Sequence, residues 1–497
     1  MVKNTPSQEL HHEIFGSILD RTELSPYLLI PAYNYQTALQ QAAKMMGNRG
    51  FDRMGDGELQ KSEQDRALYY LARTYNYFFG WMFPFVSGQL HGLLALHSDN
   101  AAIYQHALDA LAHIESVLND PAFQALAYED PRHLFLLASS KKYPHVFDGY
   151  QGGALAVLPA WQQSACAILK MGYLIKSIEE DSQDINDYAQ LGFFLESEQQ
   201  SLDDLFSYDW ENPRHIPDSE SAQLAFVKIS AFFHKLKESI TDDGSGQGYV
   251  FDSGDGVRVA ISDIKARLKS PESMVTKLGK DLEGEAYDIR DILAITFILK
   301  DKDDTLKLFH ALQKKGVILQ ENTASQAITQ TLFDTPESMI EAVRRLMLSL
   351  SQSAGHEAVF TDPELLANAE TFYKALSRNA AKNQHSSLGH RKFQCKISFS
   401  VPIHRAAQNH KILIPGTAQY ALRSQIDKLT QQHTLGVELR ISDGQSWRAS
   451  EQKGDAHHHA YKFRQLVEVM NRVFKGVFKL PKDSMAQLKQ DQARLFL

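Results

Sequence analysis

Fifteen residues near the middle of the chain, DDGSGQGYVFDSGDG from Asp242 to Gly256, separate two stretches of different periodicity and opposite charge. A run so dense in Gly, Ser and Asp is a turn-rich connection or a short hairpin, and it sets a domain boundary near residue 245. Before it, apolar residues recur at three- and four-residue spacing, as from Ala101 to Leu118 and from Ala222 to Leu236, and strand-like alternation is scarce. Residues 1–250 hold 17 basic and 32 acidic groups, a balance of −15, whereas 251–497 hold 35 and 28, a balance of +7. The overall charge of −8 therefore hides a basic C-terminal half, which points toward a polyanionic ligand there. With 497 residues, 43% hydrophobic and 23% charged, the chain suits two to four domains, and disordered, collagen-like and disulfide-scaffold classes are excluded.

Residues 74–98 carry no Asp, Glu, Lys or Arg and are rich in aromatic rings, among them Tyr75, Tyr77, Phe78, Phe79, Trp81, Phe83 and Phe85. A membrane span is one reading of such a run. Asn76, Pro84, Ser87, Gln89, His91, His97 and three glycines interrupt it, so a buried helical hairpin is expected instead. Residues 151–169 read the same way. The rings are read as core between helices; a ligand cavity among them has no motif to support it. Cys166 and Cys395 lie far apart in apolar surroundings and read as two buried thiols in a reducing compartment rather than a disulfide. The first residues have no apolar core of a secretory signal, so a cytoplasmic protein without a membrane partner is expected.

The second half alternates in character. Ile261–Leu268 and Glu272–Leu282 read as short helices separated by Pro271, and Ile289–Leu299 as a buried strand. Asp303–Lys314 is a helix ending at Gly316, and 335–350 and 362–379 are helical. Lys392–Pro402 and Gly436–Ile441 alternate like strands, His459–Phe474 is a last helix, and a polar tail follows from residue 479 as a short helix or loose chain. The fold class is α+β: an all-helical domain over 1–245, then a mixed sheet flanked by helices over 255–478.

Three separated pieces carry chemistry. In Arg267-Leu-Lys269-Ser270-Pro-Glu-Ser273-Met-Val-Thr-Lys277, three cations and two hydroxyls gather near a helix start, where backbone N–H groups and the positive helix end favour a phosphate chain. Alone, the same residues describe a solvated face. Asp291 lies inside an otherwise apolar strand, where an unpaired carboxylate is costly. It is either a salt-bridged strand entrance beside Asp288 and Arg290 or a metal-binding carboxylate. In Val437-Glu438-Leu439-Arg440-Ile441 the two-residue period puts Glu438 and Arg440 on one face. That face is either solvated or, with Asp291 on a neighbouring strand, supplies the pair of carboxylates that holds Mg²⁺ against a triphosphate.

In this order the pieces resemble the synthetase domain of the RelA/SpoT alarmone synthetases, within the polymerase-β-like nucleotidyltransferase superfamily. The family pattern R-x-K-S-x-x-S-x-x-x-K is matched by Arg267, Lys269, Ser270, Ser273 and Lys277. D-x-x-G-x-R resembles Asp291-Ile-Leu-Ala294-Ile-Thr296, and G-Y-R-S-L-H resembles Gly389-His390-Arg391-Lys392-Phe393-Gln394. V-E-x-Q-I-R-T resembles Val437 to Asp443, and the run E…H-x-Y-K is matched by Glu451, His459, Tyr461 and Lys462. The resemblance covers about residues 255–475, with a helical insertion at about 317–381.

The resemblance implies that Arg267, Lys269 and Lys277 grip the ATP phosphates, aided by Ser270, Ser273, Arg440, His459 and Lys462. Asp291 and Glu438 would hold Mg²⁺, with Glu438 also drawing the proton from an attacking 3′-hydroxyl. His390 would stack on the acceptor base and Arg391 would contact acceptor phosphate. The implied reaction moves the pyrophosphate of ATP to the 3′-OH of a guanine nucleotide. Departures at Ala294, Thr296, His390, Gln394 and Arg440 fall mainly on the acceptor side and beside the metal, so a related acceptor such as a tRNA 3′ end is also expected. The alternatives are a catalytically inactive nucleotide sensor or interaction protein and a helical scaffold with a vestigial domain. His457-His458-His459 reads as a helix entrance with His459 in the family role rather than a metal site. Residues 1–240 show no His-Asp spacing of the family's hydrolase, which leaves regulation or a protein partner as their role; a homo-oligomer is a further expectation for the protein.

Overall fold

The computed structural model describes residues 61–139, 158–176, 178, 200–201, 232–244, 248–280, 291, 293–319, 323–356, 359–377, 391–404, 430–452, 457–480 and 485–495. The protein is a mixed α+β chain. Helices α1 (Lys61–Tyr77) and α2 (Phe83–Ala95) join through one π turn, Phe78–Met82. The expected hairpin is not formed: Tyr77, Met82 and Phe83 all keep right-handed helical angles, and the Phe83 N–H donates five residues back to the Phe78 carbonyl. Helices α3 (Ala101–Leu118), α4 (Pro121–Glu129), α5 (Arg132–Ser139) and α6 (Leu158–Lys176) follow. The Asp120 carboxylate caps α4 by accepting from the Ala122 N–H at 2.8 Å. Phe78, Met82, Phe83, Val86 and Leu90 are wholly buried, which accounts for the charge-free run. Among the described residues no helix is long and apolar enough to cross a membrane.

The sheet comprises β1 (Gln200–Ser201), β2 (Ile240–Asp242), β3 (Tyr249–Asp252), β4 (Arg258–Leu268), β5 (Leu293–Leu299), β6 (Thr323–Gln330), β7 (Phe393–His404) and β8 (Thr430–Asp443). Its order is β2-β3-β4-β5-β8-β7-β6, with β1 paired to Lys265 and Ala266 of β4, beyond β3 on the same side. β5 and β8 are parallel and the other pairings are antiparallel. Helix α7 (Pro271–Lys280) links β4 to β5. Helices α8 (Thr305–Lys314), α9 (Ile340–Ser353) and α10 (Asp362–Leu376) lie between β5 and β7 in the chain. After β8 come α11 (Gly444–Gln452), α12 (His458–Val473) and α13 (Met485–Leu495).

Strand register separates the sheet into two chemical faces. Ile264, Phe297, Ile441 and Phe393 stand side by side across four strands, as do Ala266, Ile295, Leu439 and Cys395. These residues are buried in a core shared with α8, α9 and α10. The intervening positions form the other face: Arg267, Ala294, Glu438 and Lys396 in one row, Lys265, Thr296, Arg440 and Gln394 in the next.

Several expectations are corrected by these elements. Ile261–Leu268 belongs to strand β4, because a bulge between Ile261 and Asp263 resets the alternation and gives Ile261 and Ile264 a three-residue spacing that mimics a helix. The boundary near 245 falls within the hairpin β2–β3, and β1 and β2 place two pieces of the first 245 residues in the sheet. The stretch 317–381 contributes not only α9 and α10 but the edge strand β6. Of the two readings of the tail after residue 479, the short helix is the one formed, as α13, with Leu488, Asp491 and Gln492 buried.

A second core packs the N-terminal helices against α7 and α12, through Met274, Val275 and Leu278 of α7 and Phe463, Leu466 and Met470 of α12. Gly279 makes the crossing close: a Cβ there would stand 3.0 Å from Val469 Cγ1. So the helices that border the polar face of the sheet are seated on the helical half of the molecule.

Candidate functional site

The polar face gathers charge that the sequence scatters over more than 170 residues. The Lys269 ammonium lies 2.6 Å from Asp291 Oδ2, and Lys277 pairs with Oδ1 of the same carboxylate. Burial resists ionisation of Asp291, but Lys269 and then Lys277 outweigh it and hold the carboxyl well below the usual range. Glu438 is 2% exposed, accepts from Gln394 Nε2 at 3.0 Å and pairs with Arg440 Nε. Burial would raise its pKa; Arg440, Lys392 and Arg267 bring it down to about 2, while Asp291 pushes the other way.

The cations are strained by one another. Burial, then Arg440, lowers the Arg267 pKa against the opposing pull of Glu438, Asp291 and Glu451. Lys269 is brought to about 8 and Lys392 to about 7, burial being the leading cause for both. His458, at the first position of α12, is pushed down to about 3, by desolvation first and then by Arg267 and Lys462. Arg267, Lys269, Lys277, Lys392, Lys396 and Arg440 face Asp291, Glu438 and Glu451, a formal excess of three positive charges when every lysine is protonated. A largely desolvated excess of that size is costly until an anion joins it.

Local structure explains how each group arrives. Ser270 precedes Pro271 at the start of α7; its Oγ accepts from the Ser273 N–H at 3.3 Å and donates to Ser273 Oγ at 3.1 Å. Both hydroxyls thus serve the helix start, with Lys277 one turn further along the same face. Asp291 sits just before β5, and Glu438 is the register partner of Ala294, three residues further on. The two carboxylates therefore flank the parallel strand pair β5–β8. Thr296 and Arg440 are register partners too. Where the family pattern has an arginine on β5, this chain has an arginine on the adjoining strand.

Other expected residues are placed elsewhere. Arg391 pairs with Asp334 at 2.9 Å, and it is the next residue, Lys392, that joins the cluster. Lys462 lies over the Trp81 ring at 4.6 Å, and His459 meets Phe85 edge-on at 5.8 Å. Both of these contacts are with the helical half. His457 caps α12, its Nδ1 accepting from the His459 N–H at 3.2 Å, which is the helix-entrance role. His390 lies outside the described residues. Lys392, Lys396, Gln394 and His458 were not among the expected site residues; the two-residue period of β7 would have found Lys396 and Gln394 opposite Glu438 and Arg440, with Lys392 next in the same alternation. No protein-family description, no curated protein and no solved structure matches this chain.

Proposed function

We propose that the chain is a Mg²⁺-dependent pyrophosphotransferase of the polymerase-β-like type, moving pyrophosphate from ATP to the 3′-OH of a guanine nucleotide or to a related acceptor such as a tRNA 3′ end. The observation that carries this reading is the approach of Asp291, just before β5, to Glu438 on the parallel neighbour β8, among six cations beside the polar face of the sheet. Transfer of this kind is mostly positioning and charge neutralisation, and the cluster's excess positive charge suits a triphosphate. The nucleotidyltransferase-like sheet belongs to the same proposal.

Two carboxylates on neighbouring strands fit Mg²⁺, which takes one or two carboxylates along with phosphate oxygens and waters. When bound, the ion would neutralise phosphate charge and hold the chain for in-line attack. The protein's own groups do the rest. Phosphate oxygens draw Lys269 and Lys277 off Asp291 and Arg440 off Glu438, which frees both carboxylates at the moment they are needed. At about 2, Glu438 is a weak base; losing Arg440 to phosphate returns it toward ordinary basicity, so that it can take the hydroxyl proton. Gln394, bonded to Glu438 at 3.0 Å, keeps the carboxylate aimed.

The test incubates the protein with γ-labelled ATP and Mg²⁺, adding GDP, GTP, ATP or bulk tRNA in separate reactions. Label on one acceptor, lost in Glu438→Gln, is expected. A nucleotide sensor is the second reading, favoured by the lysine pairs that already neutralise Asp291. ATP binding with no transfer to any acceptor would select it.

A further inference from the structure

A cavity of about 750 Å³ lies behind α7, between its first turn and the junction of α1 with the π turn. It is separate from the cationic cluster: Pro271, Glu272, Met274 and Val275 line it, whereas Ser270, Ser273 and Lys277 fall on the other flank of the helix. Its volume is in the range of small-molecule sites, on the order of 300–1,000 Å³.

From these walls we infer a second ligand site, which takes a planar heteroaromatic molecule of the purine nucleoside class. Four rings, Tyr69, Tyr70, Tyr77 and Trp81, border the cavity. Tyr69 is 52% exposed and stands edge-on to Tyr70 at 5.1 Å, while Tyr77 and Trp81 are tilted at 5.1 Å. Tyr69, the exposed ring of the four, offers flat apolar contact to a ligand ring, and Met274 and Val275 line the same cavity. Asn76 lies among them with an amide that both donates and accepts, the complement of a base edge, and Arg73 and Glu272 add one charge of each sign. An acyl chain would leave the Asn76 amide unanswered; a nucleoside answers it. Gly80, in the π turn, opens the wall: a Cβ there meets nothing within 4 Å. π turns recur at functional sites for this reason, because they break the regular spacing of a helix surface.

The site stands apart from the pyrophosphotransferase reading, and its test keeps the two distinct. Full-length protein is titrated calorimetrically with adenosine and guanosine, and separately with tripolyphosphate as a probe of the cationic cluster. Gly80→Leu fills the cavity without an initial clash and favours helix, so it is expected to weaken nucleoside binding at least ~10-fold and leave tripolyphosphate affinity within ~2-fold. Tyr69→Ala, at an exposed ring, is expected to weaken nucleoside binding ~3-fold or more, and serves if Gly80→Leu fails to fold. No binding of either nucleoside at millimolar concentration overturns the inference. So does equal nucleoside affinity in the parent chain and the folded variants. Loss of tripolyphosphate binding alone would count against the cluster and leave this site standing.

Discussion

The Lys392 ammonium is lowered to about 7 by burial first, then by Arg440 and, more weakly, Arg267 and Lys396, with Glu438 opposing. An incoming anion binds the charged form, so affinity is highest below pH 7 and falls as pH rises through that value. Calorimetric titration with tripolyphosphate from pH 6 to pH 9 is therefore expected to show weakening that is shallower in Lys392→Met; identical slopes in the two proteins would refute it. The stability sign is opposite. Between about 7 and the ordinary 10.5 the unfolded chain binds the extra proton, so Lys392 costs stability at low pH and that cost fades as pH rises through this window. At Asp291 the prediction separates binding from turnover. Asp291→Asn frees Lys269 and Lys277, so metal-free tripolyphosphate is expected to bind ~3- to 10-fold tighter while label transfer from ATP disappears. Weaker binding in that variant would show that the pairs organise the lysines rather than occupy them.

Elements show what local pattern can and cannot reveal. The strand that follows Asp291 was legible as a buried run of branched residues, and those that carry Glu438 and Gln394 by their apolar alternation. Strand β4 was not, since its bulge between Ile261 and Asp263 breaks that alternation. Nor was β6: Thr323–Gln330 is small and polar apart from Ile328, as an edge strand paired only with β7 can be. The aromatic run of α1 and α2 was correctly a buried helical stretch, yet its glycines and Pro84 suggested a turn that the π segment makes unnecessary. The approach of α7 to α12 rests on Gly279, a residue with no motif of its own. Gly279→Val would drive methyl groups into Val469 and Leu174, both core side chains, and is expected to cost about 1–3 kcal/mol in denaturant unfolding. An unfolding midpoint equal to the parent's would mean the two helices part without loss.

At the scale of the whole molecule, residues hundreds apart in sequence share one core, and no periodicity announces that. The order of the site-bearing pieces was readable, because each is short and local. The seating of α7 and α12 on the first half was not, because it depends on which apolar faces meet. Helix α13 is the clearest instance. Its polar composition left a short helix and loose chain both open, whereas its buried polar groups tie two distant parts together. Asp491 Oδ2 accepts from the Tyr104 hydroxyl at 2.7 Å and from Asn100 Nδ2 at 3.3 Å, both at the start of α3. Next to it, Gln492 accepts from the wholly buried Arg464 at 2.5 Å and donates to the Ala460 carbonyl at 3.3 Å, both on α12. Removing 485–497 uncovers Arg464 and the α2 surface at Gly92, against which Leu495 packs at 3.0 Å from a would-be Cβ. That loss of buried polar and apolar contact is expected to lower stability by about 3 kcal/mol or more. It also loosens the helix whose first residues, His458 among them, border the cationic cluster. The truncated chain should therefore melt at lower temperature and bind tripolyphosphate more weakly, although those bonds of Asp491 and Gln492 go to α3, the residue before it and α12. A lower melting temperature with unchanged affinity would show that α12 holds its place without α13, and that the cluster depends on the sheet alone.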